Sequence, residues 1–359
     1  MKVSLERVDR FFGDIKKQDK IAIVHDADPD GVCSAVILAR CIKKLRNRKP
    51  EYVTPFDRES YSISDEQIKK MHKKGINKII VADFSIDQQP ALVKKLSKKI
   101  DMLVIDHHKV YNNLNCKKVV LVKPQLFCKI DPARYCAAKL SYDLCSRVCD
   151  MSDSDWLAAV ASIADVATIP WTSWIKTVFK KYKIKPNKDY FKTDLGLIAS
   201  TINSLITIDP RKISKAFNVL YNAQYPEEVL RSGLYKYKQL IDKELALWLK
   251  KFNKCEHYNG LYLFTVSPKY NIKSTISTIL GLKYPHRTIL VMSQDNGTAA
   301  VSARRGDQRI PVNLLLEKAI KGFSHANAGG HVPAAGTHFL SKDFAVFKKR
   351  VIKLHGELK

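Results

Sequence analysis

Along the first 125 or so residues, short runs of Ile, Val and Leu alternate with longer stretches in which apolar residues recur every three or four positions. "KIAIVHD" (20–26), "NKIIVADF" (77–84), "DMLVIDHH" (101–108) and "VVLVKP" (119–124) are short and continuously apolar, the pattern of buried strands. Between them, 32–46, 64–74 and 88–99 keep helical spacing, so this part of the chain predicts βαβ units and a parallel sheet covered on both faces. "DPARYCAAKLSYDLCSRVC" (131–149) and "DSDWLAAVASIADVA" (153–167) read as two packed helices. Further on, Leu230, Leu234, Tyr237, Ile241, Leu245, Trp248 and Phe252 form one apolar stripe and predict a single helix of more than twenty residues. Beyond Cys255, "GLYLFTV" (260–266), "RTILVMS" (287–293) and "TAAVSAR" (298–304) are new strand candidates, and "DNG" (295–297) suits a hairpin turn. The expected architecture is α/β: an N-terminal parallel-sheet domain over 1–210, a connecting helical segment over 211–253 and a smaller C-terminal α/β domain over 254–359.

Charge narrows the partners. With 62 Lys and Arg against 35 Asp and Glu, the net charge of +27 favours a polyanion, either nucleic acid or an anionic membrane surface. The opening "MKVSLERVDR" has no apolar core of a signal peptide, and no uncharged apolar stretch of about 18 residues occurs, so a cytoplasmic protein with no membrane span is expected. None of the eight cysteines forms a Cys-x-x-Cys pair, and most lie among apolar neighbours, which predicts buried thiols rather than disulfides or zinc ligands.

The chemistry sits where the strands end. Ligands of an open parallel sheet bind beyond the carboxyl ends of its strands. The first strand runs into "HDADPDG", with His25, Asp26, Asp28 and Asp30; "IIVAD" ends in Asp83; "MLVID" ends in Asp106, followed by His107 and His108. Taken singly, each has an ordinary explanation: an Asx-rich turn, a helix cap, a surface histidine pair. Together they gather carboxylates and imidazoles on one rim, where repulsion is costly without cations. Hard oxygen ligands with imidazole suit Mn²⁺ or Mg²⁺, and shared carboxylates permit two ions about 4 Å apart.

These residues resemble the DHH phosphoesterase superfamily, named for the triplet standing here as Asp106-His107-His108. "DADPDGVCS" (26–34) is similar to its first motif, Asp83 in "VADFS" to its second and Asp165 in "SIADVA" to its fourth. "VSAR" (301–304) and "NAGGHVPAAG" (327–336) resemble the strand and the Gly-Gly-His signature of the associated C-terminal domain. Within the superfamily the RecJ-like nucleases, especially compact archaeal ones, look nearest. The resemblance implies a metal-dependent exonuclease that cleaves single-stranded DNA or RNA by two-metal activation of water. One Mn²⁺ or Mg²⁺ ion would be held by Asp28 and Asp83, with His25 or Asp26 completing it. Asp30, Asp83, His107 and Asp165 would hold the other. Asp106 would orient a histidine by accepting its other N–H, and His108 would face the scissile phosphate as donor or acid. Gly329, Gly330 and His331, with Arg304, would grip a strand terminus, and Lys and Arg lining the strand's path would account for the charge.

The family also contains phosphodiesterases of short oligonucleotides or cyclic dinucleotides, which need less basic surface. It contains non-catalytic replication-complex subunits as well, which have lost the metal ligands that stand intact here. A role in DNA repair or replication, with replication proteins as further partners, is the corresponding expectation.

Overall fold

The computed structural model describes residues 5–358. The chain divides after Lys238 into two compact units. The first is built on five parallel strands: β1 (Ile21–His25), β2 (Tyr52–Pro55), β3 (Lys78–Ala82), β4 (Asp101–Ile105) and β5 (Val119–Val122), in the spatial order β2-β1-β3-β4-β5. Four of these are the strands read from the sequence. β2 was not expected, because its four residues are only half-buried at the sheet edge and carry no apolar run.

The continuous apolar runs have a direct cause. Ile21, Ile23, Ile80, Leu103, Ile105 and Val122 enter one core, while Ala22, Val24, Val81, Val104 and Leu121 enter a second on the opposite face. Alternate side chains of each strand thus meet helices on both sides, and neither face can be polar. The first core packs the buried helix Pro29–Arg46 against the helices Ala137–Cys145, Asp155–Ala164, Asp194–Ile208 and Ile213–Asn222; the second takes Asp65–Lys73 and Pro90–Ser97. Helix starts follow local chemistry. Ser64 and Gln67 form a capping box for Asp65–Lys73, and Asp28 caps Pro29–Arg46 with Pro29 in its first turn.

One expectation fails. The apolar stripe from Leu230 to Phe252 is not one helix: Pro226–Arg231 stops, and a separate helix of 17 residues covers Tyr235–Lys251. Ser232 is extended at ψ 161°, and its hydroxyl, donating to the Val229 carbonyl and accepting from the Leu234 amide, holds the break. Periodicity passed through this point unaltered, so it could not signal the interruption.

The second unit holds six strands: β6 (Glu256–Tyr258), β7 (Leu261–Thr265), β8 (Thr288–Asp295), β9 (Thr298–Arg304), β10 (Asn327–His331) and β11 (Ala334–Leu340), in the order β10-β11-β9-β8-β7-β6. Only β7 and β8 pair in parallel. Asn296 and Gly297, at φ +46° and +78°, make the two-residue turn between β8 and β9. Among the described residues, no helix is long and apolar enough to cross a membrane.

Candidate metal centre

Strand order fixes where a ligand can sit. From β1 the chain crosses to β2 on one side and then returns to β3 on the other, so a crevice opens beyond the carboxyl ends of β1 and β3. Asp26, Asp28 and Asp30 follow β1, Asp83 follows β3, the Asp106 triplet follows β4, and Asp165 ends the helix Asp155–Ala164. The carboxylates and imidazoles that the sequence scatters over 140 residues therefore share one rim.

Backbone constraints set each group in place. Asp28 Oδ1 accepts the Gly31 amide at 2.8 Å. Gly31 has no room for a side chain, since a Cβ there would lie 2.3 Å from the Asp26 carbonyl oxygen. Asp30 is fully buried and accepts the amides of Ala137 and Ala138 at 2.7 and 2.8 Å, which ties the start of the helix Ala137–Cys145 to the rim. Asp83 sits at φ +55°, a sparsely populated conformation for a residue with a side chain.

His107 Nδ1 lies 3.1 Å from the Pro132 carbonyl, so this nitrogen is the donor and Nε2 is left to face the rim. Nε2 faces Asp83 Oδ1 at 3.4 Å, Asp165 Oδ2 at 3.6 Å and Asp30 Oδ2 at 3.9 Å. An imidazole nitrogen surrounded by three carboxylates is a candidate cation site. Asp83 Oδ1 is also buried with no hydrogen-bond partner, an arrangement that costs free energy unless something positive sits against it.

Three groupings bring ligand atoms within 4.8 Å of one another: Asp26, Asp28 and Asp83; Asp30, His107 and Asp165; and Asp83, His107 and His108. Asp83 and His107 each belong to two. Among the described residues His25 belongs to none: its Nδ1 lies 2.6 Å from the Asp26 carbonyl, and burial lowers its pKa to about 4, so it stays neutral. The acids behave oppositely. Burial, reinforced by neighbouring carboxylates, raises Asp28 to about 6 and Asp165 to about 9 and holds Asp83 well above the usual carboxylate range. Carboxylate oxygens with imidazole nitrogen, mutually destabilised as anions, match what a hard divalent cation requires.

Asp106 belongs to a different circuit. Its Oδ1 meets His108 Nδ1 at 2.7 Å and accepts the backbone amides of His107 and His108 at 2.8 and 3.2 Å. Its Oδ2 lies 2.8 Å from Lys123 Nζ, which also reaches Asp87 Oδ1 at 2.9 Å and the Lys109 carbonyl at 2.8 Å. Burial alone would raise the Asp106 pKa, but the hydrogen bond with His108 and the Lys123 ammonium outweigh it and hold it below the ordinary range. The same hydrogen bond raises the pKa of His108. Lys123 and Asp87 went unread in the sequence, although Lys123 closes "VVLV" just as acids close the other runs. Arg58, 3.2 Å from Asp26 Oδ1, was also missed and has no such signal.

In the second unit, Arg304 ends β9 and pairs with Ala334 of β11. Gly329, Gly330 and His331 form β10 rather than a tight turn; the turn falls at Val332 and Pro333. Gly330, at φ +134°, leaves no room for a Cβ, which would lie 2.5 Å from the Ala334 carbonyl. Arg304, Gly329 and Gly330 line a cavity of about 350 Å³ together with Lys273, Ser274 and Ser302.

A doubly wound sheet with acids and imidazoles gathered at its switch point defines a class of α/β protein with a candidate metal centre there. Residues 20–170 match the N-terminal domain of the DHH family. Over 173 residues, 47% of this chain and 22% of the relative, the sequence is 24% identical to the single-stranded-DNA-specific exonuclease RecJ of Bacillus subtilis (strain 168). The crystal structure of RecJ from Thermus thermophilus in complex with Mn²⁺ superposes on 99% of this chain and 55% of its own, with a TM-score of 0.67 at 20% identity. A structure of exonuclease RecJ bound to manganese covers 99% of this chain and 95% of its own, with a TM-score of 0.66, also at 20% identity. The chain thus has the RecJ fold while spanning about half of the Thermus protein's length.

Proposed function

We propose that this protein is a metal-dependent exonuclease hydrolysing phosphodiester bonds of single-stranded DNA or RNA. The observation that carries the reading is the buried, unpartnered Asp83 oxygen facing His107 at the switch point of a DHH-family domain. The kinship with RecJ, whose name specifies single-stranded DNA, supports the substrate class, and the manganese found with RecJ supports Mn²⁺ or Mg²⁺ as the ion. Asp26, Asp28 and Asp83 would hold one ion, with His25 the alternative to Asp26, and Asp30, Asp83, His107 and Asp165 the other. When bound, the pair supplies charge neutralisation at the phosphoryl oxygens and lowers the pKa of water for in-line attack.

The chain's own groups do the rest. Pro132 holds His107 in the tautomer that offers Nε2 to the rim. Asp106, kept ionised beside Lys123, fixes His108 through Nδ1, leaving its half-exposed ring free to donate to the scissile phosphate. Arg304, Gly329, Gly330 and His331 would grip the sugar-phosphate backbone, and the surplus of Lys and Arg would neutralise further phosphates. End-labelled single-stranded DNA and RNA incubated with Mn²⁺, Mg²⁺ or EDTA test the proposal. A product ladder growing from one end, absent with EDTA and with Asp83→Asn, is expected. Protein that binds Mn²⁺ yet leaves every strand intact would refute it.

A further inference from the structure

The helix Pro29–Arg46 starts at the acidic rim, and Arg40, Lys43 and Lys44 lie roughly 15–25 Å further along it at 1.5 Å per residue. Beside that far end, within the first unit, opens a cavity of about 840 Å³. Its charged lining is one-sided: Arg40, Lys43, Lys44, Lys49 and Lys181 against Asp153 alone.

The simplest explanation for such cations is internal. The helices Pro29–Arg46, Thr172–Lys181 and Ile213–Asn222 all end here, and helix ends carry partial negative charge. One of the five cations fits that explanation and two more have carboxylate partners. Arg40 donates to the carbonyls of Leu220 at 2.8 Å, Tyr221 at 3.2 Å and Ala223, covering the end of Ile213–Asn222. Lys44 pairs with Asp153 at 2.8 Å, and Lys181 with Asp155 at 2.9 Å. The carbonyls at the end of Ile213–Asn222, and the Asp153 carboxylate, are therefore already answered. Lys43 has neither ion pair nor hydrogen bond among the described residues, and the Lys49 ammonium lies over the Tyr221 ring, 4.4 Å from its centre.

Two further observations point to a ligand. The Tyr221 hydroxyl is buried beside the cavity without a hydrogen-bond partner, its ring held between Phe217 and Lys49. A buried hydroxyl left unpaired costs free energy, which an acceptor in the cavity would recover once a small shift of the side chain turned the oxygen towards it. Tyr225 is half-exposed on the same wall, in T-shaped contact with Tyr182. The volume suits a small molecule, and two unpaired ammonium groups suit one short polyphosphate better than the long row of phosphates along a strand.

From this geometry we infer that the cavity binds a nucleoside di- or triphosphate, its phosphates on Lys43, Lys49 and the Tyr221 hydroxyl and its base on Tyr225. The site is separate from the metal rim, and the inference does not depend on the nuclease reading.

Isothermal titration of the full chain in EDTA with ATP, inorganic tripolyphosphate, adenosine and a single-stranded oligonucleotide tests it. One ATP per chain is expected, with tripolyphosphate weaker and adenosine undetected. Lys43→Glu and Lys49→Glu should each weaken ATP binding about tenfold or more, the loss of a charge-assisted contact. Tyr221→Phe should weaken it less, and Asp83→Asn should leave it unchanged. Both lysines are exposed, so these variants should keep the wild-type melting temperature. No ATP binding, binding lost with Asp83→Asn but kept in the lysine variants, tripolyphosphate as tight as ATP, or displacement of ATP by the oligonucleotide through the same lysines would each overturn the inference.

Discussion

At φ +55°, Asp83 combines a strained backbone, a buried carboxylate and an unpartnered oxygen, three costs at one residue. Such a site persists because its neighbours hold it, and Asn tolerates the same backbone while removing the charge. Asp83→Asn should therefore lower metal-dependent cleavage to under about one hundredth of wild type, because groups that merely orient metal ligands already cost 10–100-fold when changed. In EDTA the same variant should melt above the wild type, since a repelled charge has gone. Cleavage assays and thermal melts of both proteins check the pair of outcomes. Lys123 is the opposite case. It is fully buried between Asp87 and Asp106, so Lys123→Met would strand two buried carboxylates and should cost about 3–5 kcal/mol in urea unfolding.

At the scale of elements, the loop from β1 into the helix Pro29–Arg46 sets the rim. Gly31 lets the first turn close onto the Asp26 carbonyl, and Asp28 caps that turn while Asp30 anchors the next helix. Gly31→Ala would push its Cβ into backbone, moving three acids together. The expected result is a loss of about 1–3 kcal/mol in stability and weaker Mn²⁺ binding by calorimetry, with the second unit's fold retained. Elements also mark where sequence reading stopped. The strands were legible because both faces of the sheet are buried, and the break at Ser232 was not, because a hydroxyl and two backbone groups made it without disturbing the apolar period. β10 escaped for a related reason: Asn, Ala, Gly, Gly and His have little strand propensity, and pairing with β11 along five residues holds them extended.

Across the whole molecule, two bulk properties carry predictions. Carboxyls whose pKa rises on folding are penalised whenever they are ionised in the folded state, so the penalty is complete above the folded pKa and relieved below it. With Asp165 near 9 and Asp28 near 6, protein stripped by EDTA should gain melting temperature as pH falls from about 9 towards the ordinary carboxyl value near 4, Asp165 contributing below about 9 and Asp28 only below about 6. Below about 4, where the unfolded carboxyl takes up its proton, stability should drop, because the contribution of Asp106, whose folded pKa is depressed, is lost there. Saturating Mn²⁺ should flatten the first part of this profile, and melts across pH with and without the ion would show it. The net charge of +27 leads to the second prediction. Asp83→Asn protein should bind single strands with an affinity that rises over the first several nucleotides, with a log–log salt slope of about −0.7 per phosphate neutralised. Affinity that saturates at two or three nucleotides with a shallow slope would instead favour a dinucleotide substrate.

What the sequence determined by itself was the kind of architecture and the identity of the acids and imidazoles. Period and residue type are local properties: runs such as "IAIV" and "MLVI" need burial on both faces, and ligands of an open parallel sheet lie beyond its carboxyl ends, so Asp83 and the Asp106 triplet could be placed on one rim before any contact was known. Only the tertiary structure decided the partners. Crossing from β1 to opposite sides located the crevice, the Pro132 carbonyl selected the His107 nitrogen that faces it, and Lys123, seventeen residues beyond Asp106, joined the two through adjacent parallel strands. The grouping of Asp26 with Asp28 and Asp83, and the contact of His25 with the Asp26 carbonyl, likewise follow from the packing around the end of β1 and not from the order of the letters.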